Sequence, residues 1–196
     1  MLELRSATPE EMVLAFLKAE IDSERFGSSY QATLAQSGFD RCTLIDSPDL
    51  HSTRQNAARW KILATVKGGL FQGLADVSWR RVALEKIDIP RLKYLNHRNW
   101  IEFSGGTRLV SDGAKNIRSR ILPNNTNPQI LAIADDVRNG KTYPELIAVA
   151  EEGQDIILVE GHMRATAYIL AGWSGPIDCI LGASPSMHKW DTLLRQ

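Results

Sequence analysis

The stretch "IILVEGHMRATAYILAG", residues 156–172, changes period in the middle. Ile156 to Val159 form an apolar, largely β-branched run that suits a buried strand. From His162 onward a helical pattern begins, and Gly172 supplies its stop. A strand that passes into a helix across one glycine, Gly161, leaves the first backbone N–H groups of that helix unpaired. Their dipoles sum to a partial positive charge at the corner, which attracts anions.

The flanking sequence predicts an α/β (α+β) chain with a small mixed sheet and an N-terminal helical region. Residues 1–75 read as helical. Thr8, Pro9 and Glu11 form a capping-box start, followed by Met12, Val13, Phe16, Leu17 and Ile21 at helical spacing. A second start at Ser47 and Pro48 runs to the glycine pair Gly68 and Gly69, and the domain boundary falls at 68–76, giving regions 1–75 and 76–196. Beyond it, "VSWRRVALEKIDIP" and "NWIEF" read as strands, the second closed by Ser104, Gly105 and Gly106. Asn127 and Pro128 open a helix closed by Gly140, and Asn124, Asn125 and Asn127 read as capping and turn residues. Two short strands follow across a turn at Glu152, Gly153 and Gln154. The strand "PIDCIL" comes after the 162–172 helix, and a closing helix from Ser184 and Pro185 runs through Met187, Trp190 and Leu194.

Composition narrows the function classes. Of the 196 residues, 43% are apolar and 23% charged, and no apolar run reaches the roughly 20 residues of a membrane helix. The N-terminus carries no signal-peptide pattern, so the cytoplasm is the expected compartment. Lys and Arg number 23 against 23 Asp and Glu, so net charge gives no drive toward nucleic acid, and direct DNA binding is not expected. Cys42 and Cys179 show no metal-ligand or disulfide spacing and read as buried small hydrophobes; no metal-ligating set is expected. The five tryptophans, Trp60, Trp79, Trp100, Trp173 and Trp190, read as mostly core.

At the 156–172 corner, Gly161 permits close backbone approach, and Arg164 in the first helical turn offers a planar fork of donors suited to phosphate oxygens. His162 adds a second candidate donor, or caps the turn. Met163, Ala167 and Leu170 share a face that packs on the sheet, with Arg164 and Tyr168 on another. Glu160, beside a helix N-terminus and an arginine, is placed either to take a proton from an attacking hydroxyl or to pair with Arg164. The segment "EFSGGTRLVSDGAKNI", residues 102–117, offers a second donor-rich loop, Ser104, Gly105, Gly106, Thr107 and Arg108, without the spacing of a P-loop; it serves either phosphate or a turn.

The span from about Ile130 to Gly182 resembles the core of the ParB/sulfiredoxin superfamily, whose signature is a strand followed by Gly-x-x-Arg at the start of a helix. Gly161, Arg164, Ala165, Ala167 and Gly172 carry the likeness, which covers at most residues 79–182. It implies a sulfiredoxin-like fold and a phosphate loop that holds a nucleotide, ATP, ADP or CTP, at Gly161, His162 and Arg164, with Mg²⁺ bridging phosphate charge. Sulfiredoxins place a reactive cysteine after the motif glycine, where this chain has His162. ParB partitioning proteins carry a Gly-Glu-Arg-Arg version and a helix-turn-helix domain, neither of which matches here. The superfamily's free-serine kinases place an acid before the glycine, as Glu160 does. Two functions follow. One is a small phosphotransferase or nucleotidase with Glu160 as base, acting on a nucleotide or phosphorylated small molecule. The other is a non-catalytic nucleotide-binding or protein-interaction module in DNA-linked regulation or defence, with a protein partner or a homodimer.

Overall fold

The computed structural model describes residues 1–71, 76–124, 126–151, 155–185, 187, 190 and 191. The elements in chain order are β1 (Leu2–Ala7), α1 (Pro9–Glu20), α2 (Gly27–Ala35), α3 (Thr53–Lys67), β2 (Ser78–Leu84), β3 (Leu92–Lys93), α4 (Arg98–Phe103), α5 (Val110–Asn116), α6 (Thr126–Arg138), β4 (Leu146–Ala150), β5 (Ile156–Glu160), α7 (His162–Leu170) and β6 (Ile177–Ala183). They form a mixed α/β fold in two compact units, one of Ala7–Ala75 and one of Met1–Ser6 with Asp76–Gln196.

The helical unit begins at the capping box: Thr8 Oγ1 accepts from the Glu11 amide at 3.3 Å, and the Glu11 carboxylate accepts from the Thr8 amide at 3.0 Å. Helix α1 then buries Met12 through Leu17. Helix α3 starts at Thr53, later than Ser47 suggests. Asp49 and Leu50 are held in a turn by bonds to His51 and Asn56, and Ser52 caps the helix by accepting from the Gln55 amide. The fully buried Arg59 donates to the carbonyls of Leu44 and Asp49 and to Asn56. Desolvation lowers its pKa from the usual arginine value.

In the other unit the six strands lie in the order β1-β2-β6-β4-β5-β3. Strand β4 is parallel to β6 and antiparallel to β5, and all five of its residues, LIAVA, are buried, as a central strand requires. A register shift between Ile147 and Ala148 sets Ala148 opposite Leu158 and Ile147 opposite Glu160. The extra residue, Val159, breaks the two-residue alternation of β5. Ile156 and Leu158 are thus fully buried, whereas Glu160 leaves that face and is only partly so. Helices α5, α6 and α7 contribute Val110, Ile130, Ala134, Val137, Ala165 and Ala167 to the core on the sheet.

Several expectations change. The first residues form β1 rather than helix. The segment "NWIEF" is helical in α4: His97 accepts from the Asn99 amide at its start, Arg98 pairs with Glu102 four residues on, and Trp100 packs edge-on against Phe103. Those local and tertiary contacts outweigh the β-propensity of its aromatic and branched residues. Residues 104–108 form a loop between α4 and α5, as expected, and the remainder of the 102–117 segment is taken up mainly by α5. Cys179 is buried, and desolvation raises its thiol pKa, but Cys42 is exposed. Trp79 and Trp190 are core residues, whereas Trp173 is exposed. The turn at Glu152, Gly153 and Gln154, Asn125, part of the 68–76 boundary and much of the closing helix lie outside the described residues; Met187, Trp190 and Asp191 are helical.

Candidate functional site

Strand β5 delivers Glu160 to its end, Gly161 turns the chain, and α7 begins at His162. Gly161 has φ of 93°, in the left-handed region. A side chain there would also collide with the Leu146 side chain on the neighbouring strand and lie 3.2 Å from Arg164 Nη2. The glycine therefore answers two demands, an unusual backbone and a close approach. Lacking a side chain, it offers the helix no cap of its own.

Arg164 is not a solvated surface residue. It is 7% exposed, and its guanidinium folds back over Gly161 to pair with Glu160. The two side chains are 9% and 14% exposed, so the pair lies in a largely desolvated setting. The Glu160 carboxylate already partners the guanidinium that the sequence offers as a phosphate ligand. Tyr168 is buried with Arg164, as are Ala165, Thr166 and Ala167, while Met163 and Leu170 are half-buried against the core.

His162 Nε2 accepts from the Leu95 amide at 3.3 Å. The ring lies nearly parallel to Trp100, 5.1 Å between centroids, and Trp100 stacks on Tyr94 at 4.6 Å. Tyr94 and His162 are themselves nearly parallel, 6.2 Å between centroids, so the three rings form one aromatic cluster. The Tyr94 hydroxyl bonds Thr166 Oγ1 at 2.6 Å, and Thr166 donates to the His162 carbonyl at 2.8 Å, four residues back. Burial raises the Tyr94 pKa, so its hydroxyl stays protonated. This aromatic brace fixes the first turn of α7. Sequence reasoning missed Tyr94 and Thr166 and left Trp100 in the core; only Thr166, one turn after His162, carried a local signal.

The brace depends on Gly113 in α5. A side chain there would lie 2.7 Å from Tyr94 Cε2 and 2.8 Å from Cζ. Alanine usually gains up to about 1 kcal/mol over glycine inside a helix. Here Gly113→Ala should cost about 1–3 kcal/mol by overpacking. Chemical denaturation checks it; a stabilised Gly113→Ala would show that Tyr94 yields without loss.

The second predicted loop is ordered by its own bonds. Thr107 donates to the Ser104 carbonyl and to Asp112, and the Arg108 amide donates to Ser104 Oγ. The Arg108 guanidinium grips both carboxylate oxygens of Asp191, at 2.7 and 2.6 Å, and the Tyr94 carbonyl. Asn96 donates to the Asp191 carbonyl. Gly105 and Gly106, with φ of 73° and 97°, close α4: their amides donate to Glu102 and Ile101. Arg108 is thus engaged inside the protein by Asp191, as Arg164 is by Glu160. Asn127 bonds Leu122, Ile117 and Arg120, holding the turn before α6.

Among the described residues no group of three or more His, Cys, Asp or Glu is placed to hold a metal ion, and no helix is long and apolar enough to cross a membrane. Comparison with known protein families, curated proteins and solved structures finds no match to this chain.

Proposed function

We propose that the chain binds the phosphates of a nucleotide at the β5–α7 corner and transfers or hydrolyses a phosphoryl group there. The observation that supports this reading most is the Arg164 guanidinium, buried over a left-handed Gly161 at the N-terminus of α7 and held by Glu160. Incoming phosphate competes with Glu160 for the guanidinium. As Arg164 turns to the phosphate oxygens, Glu160 is released beside them, free to accept a proton. An acceptor hydroxyl or water then attacks phosphorus: the new P–O bond forms, the bond to the leaving phosphate oxygen breaks, and the proton goes to Glu160. Among the described residues no acidic cluster would hold Mg²⁺ on its own, so the ion would arrive with the nucleotide, and the chemistry it would supply is neutralisation of charge on the leaving group. The ParB/sulfiredoxin resemblance supports the same location and the same ligand class.

Calorimetry with ATP, ADP and CTP in the presence of Mg²⁺ tests the binding step. Arg164→Ala should lose about 1.5–3 kcal/mol, or ten- to a hundredfold in affinity. Because that variant strands Glu160, Arg164→Gln, which retains an amide donor for the carboxylate, is measured beside it. Unchanged affinity in either well-folded variant removes Arg164 from the site.

A further inference from the structure

Strand β1 buries almost nothing of its own. Leu2, Glu3, Leu4, Arg5 and Ser6 are all exposed, with Leu2 at 59% and Leu4 at 54%. Among the described residues its one sheet neighbour is β2, so its outer edge carries backbone donors and acceptors without a strand partner. The Glu3 carboxylate meets Arg80 at 3.2 Å in an exposed pair, of a kind worth at most about 1 kcal/mol.

The alternation Leu2-Glu3-Leu4-Arg5 sets the two leucines on one face and two opposite charges on the other. We propose that β1 pairs antiparallel with β1 of a second copy of this chain, about a two-fold axis through Leu4, joining the two sheets edge to edge. A two-fold axis perpendicular to a sheet sets each residue opposite one on the same face, so the axis must pass through a residue pair. Centred on Leu4, each Glu3 faces Arg5 of the second copy, both ways, and the two Leu4 side chains meet. Centred on Glu3 or on Arg5, like charges meet at the middle of the ladder, which is destabilising. The charge pattern therefore selects a register as well as a partner. A contact of one six-residue strand per copy falls well below the roughly 1,600 Å² of a standard interface, so the dimer is a weak, concentration-dependent one.

Sedimentation equilibrium over a dilution series reads it. Wild type shows a reversible monomer–dimer equilibrium. Glu3→Arg and Arg5→Glu each set like charges opposite across the axis and weaken dimerisation about tenfold or more. An equimolar mixture of the two variants restores dimer, because every facing pair is again of opposite sign. Thermal unfolding confirms that each variant is folded, including Glu3→Arg, which also loses its bond to Arg80. Wild type that stays monomeric throughout, single variants that dimerise as well as wild type, or a mixture no better than its components would each overturn the proposal.

Discussion

Glu160→Gln should leave nucleotide binding intact or tighter while turnover falls by about 10² to 10⁴. The amide keeps the size of the carboxylate and an oxygen that can still accept from Arg164, but it cannot take a proton from an attacking hydroxyl. Binding tightens because the negative charge that competes with phosphate for the guanidinium has gone. The exposures of 14% and 9% for Glu160 and Arg164 place the pair among buried ion pairs rather than surface ones. Converting an ionic bond there to a neutral one therefore costs folding stability, about 1–3 kcal/mol. The measurement is nucleotide turnover with Mg²⁺ over a panel of hydroxyl-bearing acceptors, with binding and unfolding followed in parallel. Equal turnover in the two proteins ends the role of Glu160 as base; clear binding without turnover in either supports the non-catalytic module.

Replacing Gly161 with alanine should be among the most damaging single-methyl changes in the chain. The backbone at φ of 93° costs a residue with a side chain about 1–3 kcal/mol. The collision with Leu146 adds about 1–3 kcal/mol of overpacking, because Leu146 lies in the fully buried β4. Gly140→Ala is the control: its φ is 83°, but nothing lies within 4 Å of the added methyl, so only the backbone cost applies. Equilibrium unfolding should show Gly161→Ala the less stable of the two, with phosphate affinity lost as the Arg164 seat is displaced. Equal losses at both positions would remove the Leu146 contact from the account.

The physical origin of these effects shows how far local sequence reaches. The capping box at Thr8 and Glu11, the apolar run of β4, and the switch from strand to helix at Gly161 are all written in neighbouring residues, because caps, burial periodicity and glycine turns act over a few positions. The segment 98–103 was not legible in this way. Its aromatic and branched residues suit a strand, and the contacts of Trp100 with Tyr94 and His162 that hold it as a helix come from elsewhere in the chain. The same limit applies to Arg108, whose basic side chain beside two glycines reads as an anion ligand until Asp191, 83 residues on, closes on it.

At the candidate site the sequence by itself determined the residue types, their spacing and the turn, since Glu160, Gly161 and Arg164 lie within a single strand-to-helix junction. Tertiary structure decided what they do to one another. The extra residue at Val159, defined only by pairing against β4, breaks the alternation of β5 and takes Glu160 off the face of Ile156 and Leu158. Packing of Arg164 into the protein then removes enough water that the carboxylate and guanidinium close into a pair rather than remaining separately solvated. Register and desolvation depend on strands and helices brought together over long sequence separations, so no window of neighbouring residues contains them.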